Sequence, residues 1–239
     1  MTLQTRKVDY THEGRSYQGL LVWDDSHRGA RPGVAIAHTW AGRGDFEAGR
    51  AQALAELGYV AFAADLFGSG VRGEGAEECR ALIAPHLENR AGLQALIGRA
   101  VEVMREQPEV DAGRCAAIGY CFGGLTVLDL ARSGADVRGV VSFHGLFNPP
   151  GNTAGTPITA KVLCLHGYDD PMAQPDTVLA LAAELSEAGA DWQIHAYGKT
   201  LHAFTNPNAN DRDFGALYDA AADRRSWQSL RNFLEEVLA

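Results

Sequence analysis

The sequence predicts an α/β fold: a mostly parallel sheet flanked by helices on both faces, with antiparallel strands at the N-terminus. Two observations carry that expectation. Short continuous apolar runs bounded by Gly, Pro or Asp recur along the chain, as strands do when both faces of a sheet are covered, and segments of helical period separate them. The first thirty residues instead alternate with period two, as an antiparallel pair does. With 239 residues and 46% apolar content the chain can bury one substantial core, so a single domain spanning 1–239 is expected.

In the N-terminal pair, Tyr17, Gly19, Leu21 and Trp23 fall on one side and Gln18, Leu20 and Val22 on the other, with a turn near Glu13 and Gly14. Later strands are expected over residues 34–38, 60–64, 115–119, 139–143, 161–166 and 192–197. Helices are expected over roughly 45–57, 92–106, 122–133 and 176–188, and a last helix runs from about residue 211 to the C-terminus. That last segment has the clearest period, since Phe214, Leu217, Tyr218, Ala221, Leu230, Phe233, Leu234 and Val237 recur at threes and fours. Residues 67–75, F-G-S-G-V-R-G-E-G, carry four glycines and suit a surface loop.

Composition excludes several classes. A formal charge of −9 and the lack of a Lys/Arg block argue against a nucleic-acid partner. The first ten residues lack the apolar stretch of a signal peptide, and no run reaches the length of a membrane span, so no membrane partner and a cytoplasmic location are expected. The four cysteines, Cys79, Cys115, Cys121 and Cys164, form neither a C-x-x-C pair nor a disulfide ladder and read as reduced thiols.

One of them has a functional context. Directly after the strand 115–119 comes G-Y-C-F-G-G, the G-x-nucleophile-x-G pattern with Cys121 in the central place. That pattern needs a strand-to-helix turn so sharp that its central residue is strained, and the glycines at 119, 123 and 124 let the neighbouring backbone pass close. Cys121 then stands at a helix N-terminus, where backbone N–H groups favour thiolate over thiol. Cys115 and Cys164 fall inside apolar strands and Cys79 in the charged segment E-E-C-R, so these three read as structural.

A thiolate in this context asks for an acid after a later strand and then a histidine, in that chain order. The strand K-V-L-C-L-H-G leads into Y-D-D-P, which puts Asp169 and Asp170 at the carboxyl end of the sheet; Asp170, restricted by Pro171, is the preferred acid and Asp169 a turn or cap residue. After the strand 192–197, G-K-T-L-H-A-F-T-N-P supplies His202 as the base. Among the other histidines, His195 lies mid-strand, His12, His27 and His86 lie in polar or irregular stretches, and His144 and His166 end strands away from the last loop. His38 ends the strand G-V-A-I-A-H and leads into T-W-A-G, the place from which a second oxyanion amide is drawn, and it reads as shaping that loop.

These residues resemble the dienelactone hydrolase family: G-Y-C-F-G-G around Cys121, H-G-Y-D-D-P around Asp170 and H-A-F-T-N-P around His202, with strands in register over nearly the whole chain. The resemblance implies an α/β-hydrolase fold and a triad of Cys121, His202 and Asp170. It also implies an oxyanion hole made by the backbone N–H groups of Trp40 and Phe122, and hydrolysis of small esters or lactones without metal or organic cofactor. Two departures stand out. Family members place a glutamate before the oxyanion-hole residue, where this chain has Thr39, and those that bind a substrate carboxylate carry an arginine shortly after the catalytic histidine, where this chain has Asn206. Expected substrate contacts are His38, Thr39, Trp40, Phe204 and Arg72, with Phe67 and Phe147 as further candidate walls, and Arg80 as a second source of positive charge.

Two other classes compete with an esterase acting as a monomer or homodimer. A non-catalytic protein on this scaffold would use the pocket only to hold a small ligand. A redox thiol at Cys121 would need a resolving partner, for which Cys115 is the nearest in sequence.

Overall fold

A computed structural model describes residues 2–26 and 28–239; the polar-stretch reading of His27 lies outside them. The chain opens with β1 (Leu3–His12) and β2 (Arg15–Asp24), then β3 (Arg31–Ala37), α1 (Asp45–Glu56), β4 (Val60–Ala63), α2 (Ala76–Glu88) and α3 (Arg90–Arg105). It continues through β5 (Val110–Tyr120), α4 (Phe122–Arg132), β6 (Gly139–Phe143), β7 (Lys161–Gly167), α5 (Pro175–Glu187) and β8 (Trp192–Tyr197). A two-residue pair, β9 (Asn210–Asp211) and β10 (Ala216–Leu217), precedes α6 (Ala220–Val237). The main sheet has the order β1-β2-β4-β3-β5-β6-β7-β8. β1 and β2 pair antiparallel, β2 meets β4 antiparallel, and every later neighbour is parallel.

Strand periodicity explains the two cores. Ala35, Ala37, Cys115, Ala117, Val140, Val162 and Cys164 join α3, α4 and α5 on one face. Their alternates Val34, Ile36, Ala116, Ile118, Val141, Leu163 and Leu165 join α1 and α6 on the other. Because successive side chains point to opposite faces, a strand buried on both reads as one unbroken apolar run.

Two expectations about elements change. The final helix starts at Ala220, nine residues later than its period suggested. Gly215 takes φ 84°, a left-handed conformation that interrupts a helix, and the segment folds as the β9–β10 pair; Asp219 then caps the helix by accepting from the Ala221 and Ala222 N–H groups. Phe214, Leu217 and Tyr218 therefore belong to a strap hydrogen-bonded to the His202 loop and not to the helix stripe. The second change is α2, which follows the glycine-rich loop; its mostly exposed surface and its Pro85 obscure the helical period.

The C-terminal end of α4 is anchored by a buried ion network. Arg132, 1% exposed, hydrogen-bonds Asp129, Glu184 and the Phe147 and Asn148 carbonyls, while Arg90 makes a bidentate contact to Asp129. Removing one partner of such a network strands the others without solvent. Arg132→Met is expected to destabilise the fold by about 3–5 kcal/mol in urea unfolding, whereas Lys161→Met, at an exposed pair with Asp191 and Glu236, is expected to cost less than about 1 kcal/mol.

Candidate active site

The turn from β5 into α4 has the geometry its glycines require. Cys121 stands at φ 56°, ψ −113°, half-buried, immediately ahead of α4. A Cβ on Gly119 would lie 2.0 Å from the Gly123 carbonyl oxygen, and one on Gly123 would lie 2.1 Å from that of Ala37, so the first turn of α4 presses directly on β3 and β5. The Cys121 carbonyl accepts from the Gly124 and Leu125 N–H groups. The Trp40 and Phe122 amides, expected as oxyanion donors, find no acceptor among the described residues.

At the carboxyl end of β7 the chain turns through Asp169, which is exposed, into Asp170, which is 1% exposed. Asp170 Oδ1 accepts from the Met172 N–H at 2.8 Å, and Oδ2 lies 2.7 Å from His202 Nδ1. Of the two aspartates, it is Asp170 that contacts His202. His202 is itself buried, and the Cys121 thiol is near enough to act on its ring, although His202 Nε2 completes no full hydrogen bond. Burial disfavours the charged ring, but the Cys121 negative charge, the Asp170 hydrogen bond and the contact with Cys121 outweigh it and push the His202 pKa up to about 10.

His144, read from sequence as remote, is in fact a neighbour of both. Its ring centre lies 5.1 Å from that of His202, edge to face. Nδ1 accepts from the Cys121 N–H at 3.2 Å, an N–H that also reaches the Phe143 carbonyl at 3.0 Å. Since Nδ1 accepts, the proton sits on Nε2, which donates to Thr205 Oγ1 at 2.8 Å. Burial, followed by the neighbouring His202, holds the His144 pKa well below the usual histidine value. The sequence signal was its place at the end of β6, the strand beside β5 in a parallel sheet; the structure adds that this residue, which is not glycine, stands at φ 37°.

Other expected contacts sort differently. Phe204 is fully buried in the core, edge-on to His144 at 5.2 Å, and does not face a substrate. His38 is also fully buried: Nδ1 donates to the Thr39 carbonyl and Nε2 accepts from the Leu66 N–H, so it ties β3 to the loop after β4. Phe67 packs against His38, and Phe147 packs on His166 and lines a separate cavity of about 480 Å³ that none of Cys121, Asp170 and His202 lines. Each of these rings gains more from core burial than a loop mouth offers. Trp40 and Thr39 remain half-buried at the loop after β3, and Arg72 is exposed with its guanidinium against Gly44. His86, expected in an irregular stretch, ends α2 and stacks on Phe67; burial, then His38 and Arg15, lowers its pKa to about 4.

Glu47 was not singled out in the sequence. Buried in the first turn of α1, it accepts from the Thr39 N–H at 3.1 Å and the Gly44 N–H at 2.8 Å, fixing both ends of the loop that carries Trp40. The spacing from Gly44 to Glu47 is that of a capping box. Among the described residues no cluster of three or more His, Cys, Asp or Glu could hold a metal, and no helix is long and apolar enough to cross a membrane.

A model of the dienelactone hydrolase family matches residues 18–238. The solved structure named m3DLH superposes with a TM-score of 0.95 at 38% identity, covering 99% of each chain. A dienelactone hydrolase-like promiscuous phosphotriesterase from metagenomic libraries superposes at 0.93, also with 38% identity and 99% coverage of each chain. A Yersinia pestis protein named as a carboxymethylenebutenolidase is 23% identical over 94% of this chain and 85% of its own.

The raised His202 pKa has a measurable consequence. A group lifted in the folded state keeps its proton until pH rises through the lifted value, so His202 is expected to be doubly protonated at pH 8 and to titrate near pH 10 in ring 15N NMR. In Cys121→Ala, where the sulfur's contribution is gone, the midpoint is expected to fall from near 10 toward the ordinary histidine range of about 6.5.

Proposed function

The chain belongs to the dienelactone hydrolase family, and from that premise we propose that it hydrolyses small esters or lactones through a triad of Cys121, His202 and Asp170 and an acyl-enzyme intermediate. Family membership makes it a carboxylic ester hydrolase. The observation that carries the finer reading is the 2.7 Å contact between Asp170 and His202 beside a cysteine held at a left-handed turn.

In this reading the Cys121 thiolate attacks the carbonyl carbon and the carbonyl electron pair moves to oxygen. The Trp40 and Phe122 amides steady that oxyanion, at about 3 kcal/mol per donor in related acyl-transfer sites. As the intermediate collapses the carbon–oxygen bond to the alkoxide breaks, and His202 gives the leaving oxygen its proton. For a lactone the leaving oxygen stays tethered to the acyl group. Water, deprotonated by the now neutral His202, then attacks the thioester; the acid leaves and the thiolate and imidazolium are restored. Asp170 holds the ring in one orientation and balances its charge throughout.

The relative named as a promiscuous phosphotriesterase makes an activated phosphotriester a reasonable second substrate to include beside carboxylic esters. The alternatives fare less well. A binding protein has no use for a strained cysteine aimed at a charged histidine, and a redox pair with Cys115 would span six residues of an extended strand, about 20 Å.

The test is turnover of p-nitrophenyl acetate, a butenolide lactone and a p-nitrophenyl phosphotriester by wild type, Cys121→Ala and His202→Ala, with intact-mass spectrometry of quenched reactions. Wild type is expected to turn over at least the acetate and to show an acyl adduct on Cys121, and both variants are expected to lose more than a thousandfold. Variants as active as wild type would remove the triad, and a wild type that binds a lactone without opening it would support the ligand-binding alternative.

A further inference from the structure

The strap formed by β9, β10 and the turn between them touches three loops of the site at once. The Gly215 carbonyl accepts from the His202 N–H at 2.9 Å, and the Leu217 N–H donates to the His202 carbonyl at 3.0 Å, so the strap grips the base on both sides of its peptide. Gly215 lies against the residue that follows the acid: a Cβ there would come within 2.2 Å of Pro171 Cγ. Phe214, whose N–H donates to Asp211 Oδ1 at 2.9 Å, stacks on Trp40 with ring centres 5.7 Å apart and planes at 21°. The Arg80 guanidinium covers Phe214 at 5.8 Å, so α2 backs the stack.

We propose that Phe214 is a positioning residue, which by stacking on Trp40 from a strap that also holds His202 and Pro171 sets the oxyanion amide of Trp40 in register with the base. This rests on the reading of Cys121 as nucleophile and of the Trp40 N–H as oxyanion donor. Neither end of the stack is part of the framework. Phe214 is half-buried and belongs to neither core cluster, and Trp40 only borders one of them. Glu47 fixes the Trp40 loop through the backbone N–H groups of Thr39 and Gly44, on either side of Trp40. The indole's one ring partner among the described residues is Phe214. A shift of about 1 Å in an oxyanion donor is enough to change rate substantially, because such donors act only when aimed at the developing charge.

The experiment compares two reactions of the same sulfur. Ester hydrolysis needs both the charged Cys121–His202 pair and the oxyanion hole, whereas alkylation of Cys121 by iodoacetamide needs the pair alone. Phe214→Ala is expected to lower kcat for p-nitrophenyl acetate at least tenfold, with KM changed less than threefold and the alkylation rate within twofold of wild type. Phe214→Tyr, which keeps the stack, is expected to restore kcat. Gly215→Ala, pressed against Pro171, is expected to slow both reactions.

An unchanged kcat in Phe214→Ala would overturn the proposal, as would a rise in KM alone, or a parallel fall of hydrolysis and alkylation with a lowered melting temperature. Hydrolysis that survives in Cys121→Ala identifies the other failure: the nucleophile reading is then wrong, and the role of Phe214 falls with it.

Discussion

Cys121 can hold a left-handed conformation only because nothing larger than hydrogen stands between the start of α4 and the strands beneath it. Gly119 and Gly123 allow carbonyl oxygens to approach to where a Cβ would sit, and the helix backbone follows. A non-glycine residue in such a conformation costs on the order of 1–3 kcal/mol and persists only where the surroundings over-determine it. Here they do, since all eleven residues of α4 are buried and its far end is held by the Arg132 network. The strain is thus maintained by a helix packed along its full length. Its product is a cysteine set at the carboxyl end of β5, between the ends of β3 and β6.

The histidines that meet there have pKa values shifted in opposite directions, and their neighbours decide which. His202 has a carboxylate on one nitrogen and a thiol beside the other, so its proton is held to high pH. His144, a ring's width away, has a peptide N–H and a threonine hydroxyl as its partners and stays neutral. Two imidazolium rings at that separation would repel across a buried site. A neutral His144 instead supplies an acceptor to the Cys121 backbone, and so contributes to holding the strained turn while leaving the charge with His202. Thr205, three residues after His202, closes this circuit and is itself fully buried.

What was legible in the sequence is what repeats locally. Apolar runs located every parallel strand, and G-Y-C-F-G-G together with the order acid then base singled out Cys121, Asp170 and His202, the last two of which share a hydrogen bond. What was not legible is tertiary. His144 looked remote because the chain separates it from His202 by 58 residues, while the sheet sets β6 beside β5 and β7. The segment around Phe214 had an apolar period that suits a helix, yet Gly215 in a left-handed turn and two hydrogen bonds to His202 draw it into a strap. Phe204 was misplaced as a substrate contact, and His38 shapes its loop from a fully buried position instead of also touching substrate, for a related reason: loops that carry a site are anchored by their own buried side chains, and sequence position cannot separate the anchor from the contact.

The departure at Thr39 finds a physical counterpart in Glu47. A carboxylate is present near the oxyanion loop, but it comes from the first turn of α1, and both its oxygens are committed, one to the Thr39 N–H and one to the Gly44 N–H. Charge-assisted bonds of this kind are stronger than neutral ones, and a buried carboxylate that gave up either would be left short of a partner. Glu47 is therefore engaged in fixing the Trp40 loop, with one backbone N–H on each of its oxygens. In the proposed triad it is His202, whose pKa is raised by its contacts with Cys121 and Asp170, that supplies the positive charge beside the sulfur.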